Sequence, residues 1–436
     1  MSAIALDQDL FSAAVKAMPA DQLSSVRSKA ASQFLSQGFP TARNEDWKYT
    51  NLSAAADISN AWLRRLRTDD DENASTRLPV SDAQSALSGQ IDAHWLVIRN
   101  GCVDFESLQY VAANLGPDIE IASLSKRPGQ NGIIVDDPMS AFNAALLQDG
   151  LHISVAPNGK TTRPLGILQI DDPSRQASQI RTVIELAPSS SLDVIECALS
   201  ANSGVQFSNS VTQADLASSS RLNYVRLQVR DRDHVGVNRM ISKLERNATF
   251  RHNEFDFGGA LTRNDIVVNI DGENADVRLH GLYLASGTQH IDNHTRVEHR
   301  VGPATSLEEY RGVLNDRSRC VFNGQAVVFE GADGTDANQA NHNLLLSDHA
   351  EIDTKPELEI YADDVKCGHG ATVGQLDDAA LFYLRSRGLD REVARHLLTQ
   401  AFAIGILGDL AVEECREYLV RAIDERLTEL VDDRLS

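Results

Sequence analysis

A phrase of a few small or polar residues followed by an extended run returns along the middle of this chain: SSSLDVIE near residue 190, SSSRLNYV near 219, RNATFRHN near 247, ENADVRLH near 274, PATSLEEY near 304 and DHAEIDTK near 349. Recurrence at roughly 25 to 30 residues marks a repeat architecture, in which each unit buries its apolar face against the next. The units are built of strands. TVIELA, LDVIECAL, LNYVRLQV, DIVVNI, DVRLHGLYLA, QAVVFEG and ELEIYA alternate polar and apolar residues, and helical periodicity is almost absent from about Leu151 to Val365. A propeller blade needs about 40 residues in four strands, so a β-solenoid with shorter coils fits better. The repeat is degenerate, and a β-sandwich stays open as the alternative.

The flanks read as helical. Leu10, Ala13, Ala14 and Met18 fall at helical spacing before Pro19, and Asp21 opens a second helix that runs to Gly38. FPTARNEDWKYTNL then mixes Trp, Tyr and charge in a way periodicity does not explain, and TDDDENA (68–74) reads as a solvated acidic loop. Strand-like pieces in HWLVIRNGCVDF precede a helix at Pro138 to Leu147. Beyond Val365, Asp377 or Asp378 caps AALFYLRSR, which stops at Gly388. Asp390 caps a helix with Val393, Leu397, Ala401 and Ile404 on one face, and a third helix spans about Leu410 to Leu430. The expected divisions are a mostly helical part at 1–150, a parallel β-helix at 151–365 and a helical part at 366–436. A solenoid's open ends must be covered, so helical caps are expected at both.

Charge narrows the partners. Forty-one basic residues against 62 acidic ones give a net charge of -21, which disfavours phosphate backbones and anionic membranes. Neither nucleic acid nor membrane is an expected partner. The N-terminus lacks a basic start followed by an apolar core, and no run approaches the ~20 apolar residues of a membrane span. Five scattered cysteines do not make a disulfide framework, so a cytoplasmic location is expected.

Two stretches carry ligand-type residues. In VKCGHGATVGQLDD (365–378), Cys367 and His369 project from one face of an extended strand, and Gly368 and Gly370 leave room for a close approach. A thiolate and an imidazole suit zinc or iron, but two ligands do not close a site, so other residues or a second subunit must complete it. A plain glycine-rich turn between domains is the competing reading. QHIDNHTRVEH places His290, Asp292 and His294 on one face, with His299 nearby, as a metal set or as a polar ladder along a solenoid. APNGKTTRP is no P-loop, since Ser154 stands where its first glycine belongs, and the glycines at 368, 370 and 374 miss the dinucleotide spacing. Cys102, Cys197, Cys320 and Cys415 read as small buried hydrophobes.

RNEDWKYTNL (Arg43 to Leu52), SLEEYRGVLND (Ser306 to Asp316) and the run from Ala337 to Leu389 that contains Cys367 and His369 resemble the SufB/SufD family of iron-sulfur cluster assembly scaffolds. HGATVGQLD and NEDWKYT look like its SufD branch. The resemblance implies a right-handed parallel β-helix between helical domains and no autonomous catalysis. It implies pairing with a SufB-like β-helix subunit, binding of a SufC-like ABC ATPase and, indirectly, sulfur from a cysteine desulfurase and its carrier. A transient cluster or iron would form at the interface with SufB. Reduced flavin would belong to the whole complex, and this chain alone would hold no cofactor firmly. By position, His369 and Cys367 would stand at that interface, and Phe382, Leu384, Leu398, Phe402 and Ile404 would line the ATPase dock. His290, Asp292 and His294 are the weaker metal candidates, and Trp47 and Tyr49 read as structural. Without SufB, the unpaired sheet edges of a solenoid would favour a homodimer. Two rivals remain: an exported polysaccharide-cleaving β-helix enzyme, disfavoured by 6% aromatics and the missing signal peptide, and a self-sufficient metalloprotein built on the histidines at 290–299.

Overall fold

A computed structural model describes residues 6–66, 87, 89–127, 132–172 and 176–432, so the acidic stretch 68–74 lies outside the described residues. Each repeat contributes two strands, one to each of two sheets, in a solenoid of about eight turns. One sheet contains β1 (His94–Arg99), β5 (Leu165–Asp171), β7 (Ser191–Ser200), β9 (Arg221–Gln228), β11 (Thr249–Asp256), β13 (Asp276–Ala285), β15 (Thr305–Leu314), β17 (Asp336–Leu345) and β19 (Lys366–Gly374). The other runs through β4 (Leu151–Val155), β6 (Ala177–Leu186), β8 (Gln206–Leu216), β10 (His234–Leu244), β12 (Leu261–Ile270), β14 (His290–His299), β16 (Arg319–Val328) and β18 (Glu351–Ile360). Pairing along both stacks is parallel, which excludes the sandwich. Two short edge strands, β2 (Cys102–Val103) and β3 (Ile119–Ser123), pair antiparallel at the first end. The sheets therefore take in residues 94–99 and 366–374, on either side of 151–365.

The recurring phrase is one corner of the solenoid. Ser189, Ser219, Asn247 and Asn274 all adopt left-handed backbone with φ of 57° to 63°, a conformation Asn tolerates well. Their N–H groups donate to Ser218, Arg246, Glu273 and Pro303 of the following turn. The next residue in each case, Ser190, Ser220, Ala248 and Ala275, is buried, so only a small side chain fits there. DHAEIDTK belongs to the opposite corner, ahead of β18. Successive rungs differ in length, Thr249 facing Asp276 and Thr305 facing Asp336, which is why the repeat is degenerate.

Alternate residues point into the lumen. Leu192, Leu222, Phe250 and Val277 stack there across four rungs, with Ile291, Val297, Cys320 and Phe322 from the other sheet. Gly281 and Gly312 sit beneath rings, since a Cβ on either would lie 2.1 to 2.2 Å from Tyr310 or Tyr283.

Helices cover the outer faces. α1 (Gln8–Ala17), α2 (Ser24–Gln37), α3 (Ser53–Leu66) and α5 (Pro138–Ala145) pack Phe11, Phe34, Trp62 and Phe142 against Ala177, Phe207 and Val235 of the even-numbered sheet. α7 (Arg391–Ile404), two 3-10 turns and α8 (Arg416–Asp432) lay Ala403, Ile406, Leu419, Ile423 and Leu427 over Phe255, Leu282, Leu284 and Val313 of the odd-numbered sheet. α4 (Phe105–Asn114) closes the first end, where Val111 joins Leu96, Ile119 and Leu151. The expected cap at the other end is absent among the described residues. The C-terminal helices are spent on the flank because Leu282, Leu284 and Val313 make that face apolar, so β18 and β19 end their sheets with free edges.

Candidate functional site

Cys367 and His369 lie on β19, the last strand. Ala337 pairs with Cys367 and Gln339 with His369. Followed back by register, both belong to inward-facing columns: Val277, Ser306, Ala337, Cys367 and Leu279, Glu308, Gln339, His369. With no further rung above them, the thiol is half-buried and the imidazole exposed. They are lumen positions opened to the surface. Burial, then the charge of Asp336, raises the Cys367 thiol above its ordinary value against a lowering backbone contact at Ala337. This chain alone therefore keeps Cys367 protonated at neutral pH, and a metal would have to displace that proton. Outward positions 368, 370 and 374 are glycines, and a Cβ at 370 or 374 would meet open space. β18 carries Pro356, which lacks an N–H and blunts its edge. No proline interrupts β19.

His290, Asp292 and His294 do share one face of β14, the outward one, whereas His299 points inward and bonds Ser306 at 2.8 Å. Asp292 is wholly buried. Its carboxylate takes Arg263 at 2.5 Å, His294 at 3.0 Å and the Thr50 hydroxyl, while His290 lies 3.0 Å from Thr50. Burial opposes ionisation, yet Arg263 and His294 hold this carboxyl well below the usual range. The Arg263 guanidinium also sits 4.6 Å from the Trp47 ring centre, and Arg319 faces Tyr49. Here the polar ladder is the socket for NEDWKYT. Among the described residues no group of three or more His, Cys, Asp or Glu side chains is arranged to hold a metal ion. Of the remaining cysteines, Cys197, Cys320 and Cys415 are buried as expected, while Cys102 is half-exposed and donates to Gln148.

The C-terminal helices expose apolar surface. α6 (Asp378–Ser386), capped by Asp377, buries none of its residues, and Phe382 is 74% exposed. Leu384, Leu398, Phe402 and Ile404 are half-buried. Phe402 and Ile404 pack on the chain's own core. Tyr383, Val393 and Leu397 extend the exposed face; of the stripe expected from spacing, Val393, Leu397 and Ala401 are exposed and Ile404 is half-buried.

Comparison with known proteins decides the family. The model described as "SUF system FeS cluster assembly, SufBD core domain" matches residues 168–402, and "SufBD protein N-terminal region" matches 8–86. The chain belongs to the SufB/SufD family. It is 31% identical over 415 residues to the iron-sulfur cluster assembly protein SufD of Escherichia coli K12, covering 92% of this chain and 93% of that protein. A SufBD family protein of Synechocystis is 26% identical over 92% of the chain and 90% of its own length. SufD of Bacillus subtilis is 25% identical over 68% and 69%. The chain is thus a homologue of SufD in iron-sulfur cluster assembly. No helix among the described residues is long and apolar enough to cross a membrane.

Proposed function

We propose that this chain is a scaffold subunit, without catalysis of its own, that pairs with a SufB-like solenoid through the free edge of β19 and presents His369 and Cys367 to a cluster assembled between them. The uncapped last rung carries this reading. It combines a nine-residue strand with one free edge, glycines that admit another backbone, and two metal-type side chains that cannot close a site alone. The missing ligands come from the partner, and the cluster is cargo. Phe382, Tyr383, Val393 and Leu397 dock a SufC-like ATPase, with Leu384, Leu398, Phe402 and Ile404 carrying motion inward. A cysteine desulfurase and its carrier supply sulfur indirectly, reduced flavin belongs to the assembled complex, and the site of action is the cytoplasm. In the absence of SufB the same edge closes a homodimer.

Gentle affinity purification from the native cells, with iron and sulfide assayed, tests this. Recovery of a second solenoid subunit and an ABC ATPase is expected. A lone chain with stoichiometric metal would overturn it.

A further inference from the structure

The column that ends at His369 changes character along its length. His94, Leu165, Val194, Tyr224, His252 and Leu279 occupy its earlier rungs, and Glu308, Gln339 and His369 its last three. Glu308 is completely buried, and its carboxyl accepts from the Thr295 hydroxyl and, at 3.0 Å, from Gln339 Nε2. No cation offsets it in these contacts. Gln339 is 4% exposed. With its amide nitrogen turned back to Glu308, its Oε1 is buried with no hydrogen-bond partner among the described residues. An unpaired buried acceptor is costly and calls for an explanation. The neighbour on its other side, one strand spacing of about 4.8 Å away, is His369.

We propose that Gln339, anchored by Glu308, is a positioning residue for His369: the exposed imidazole, which does not bond Gln339 in the conformation described, turns to donate one ring N–H to the otherwise unpaired Oε1 and so leaves the lone pair of the other ring nitrogen facing the open end. An imidazole is fixed as a metal ligand by the bond its second nitrogen makes, and such partners set both tautomer and direction. The Glu308 carboxylate in turn fixes which end of the Gln339 amide points forward. Gln339 touches no cluster itself. The inference rests on the scaffold reading only for its purpose, since the tautomer is a property of the free chain.

The test is long-range 1H–15N correlation on the full-length, 15N-histidine-labelled chain, with the His369 signals identified by their loss in His369→Ala. Wild type should show one dominant His369 tautomer. Gln339→Leu should shift the tautomer ratio about fivefold, the worth of one net hydrogen bond. Glu308→Gln keeps an acceptor for Gln339 and should preserve the wild-type ratio, whereas Glu308→Leu should shift it. If Gln339→Leu fails to fold, the two Glu308 variants decide. An unchanged ratio in every folded variant overturns the inference. A shifted ratio together with undiminished cluster yield in the His369→Ala complex would uphold the positioning and refute the scaffold site instead.

Discussion

Replacing Asp292 with Ala should loosen the N-terminal segment from the solenoid. The side chain is buried on the outer face of β14, where it joins Arg263, His294 and Thr50 across 242 residues of sequence. Removing one member of a buried ion pair costs about 3 to 5 kcal/mol. Arg263 keeps a second partner, Asp265 at 2.7 Å, so the lower figure, about 3 kcal/mol, applies. Part of it is lost contact of Trp47 with Arg263. Denaturant unfolding followed by tryptophan fluorescence should show an earlier loss of the Trp47 environment, and protease should cleave near residue 50 sooner. Asp292→Asn, which still accepts from Thr50, should cost less. The pH dependence has a definite sign: the native carboxyl titrates below its unfolded value of about 3.9. Its contribution is therefore complete above that value and fades as pH falls below it, so the gap between wild type and Asp292→Ala should narrow in acid. Equal midpoints within about 0.5 kcal/mol at neutral pH would refute the anchoring argument.

Two other outcomes follow from exposure and burial. Phe382→Asp should leave the unfolding midpoint unchanged, because the ring contributes to no core cluster. Losing about 100 Å² of apolar contact, about 2.5 kcal/mol, should weaken binding of a SufC-like ATPase at least tenfold; unaltered affinity by calorimetry would place the dock elsewhere. Glu308 is pushed up to about 7 by burial, against the lowering bonds of Thr295 and Gln339, so the unfolded state holds fewer protons between pH ~4.3 and 7 and wild-type stability falls across that window. Glu308→Gln should gain on wild type by up to about 1.4 kcal/mol per pH unit there and then level; a constant gap would contradict the assignment.

Much of the solenoid was legible because its corner demands both a left-handed residue and a small one, which left SSSLDVIE, SSSRLNYV and RNATFRHN in the sequence. The flanking helices were legible through their caps, Asp377 and Asp390 among them. Their placement was not. In DVRLHGLYLA, Leu279 and Tyr283 face the lumen while Leu282 and Leu284 face α8, so a strand buried on both sides hides its outer layer in a continuous apolar run. The stripe Val393, Leu397 is genuine, but spacing alone does not say that α7 turns Ala394 and Ala403 inward instead. The ladder at 290–294 and the motif at 43–52 were each visible, and only folding showed that one holds the other. The pair at 367 and 369 stood out by residue type, yet its lumen origin and its link to Gln339 appear only in the strand register.

The central claim is that a cluster is built against His369 at the open rung. The most direct measurement is iron and sulfide per complex, with the visible absorption of the cluster, in assemblies purified anaerobically with wild-type chain or His369→Ala. The account predicts equal recovery of both partner subunits and markedly less cluster in the variant. Equal cluster content in the two would remove His369 from the site and refute the claim.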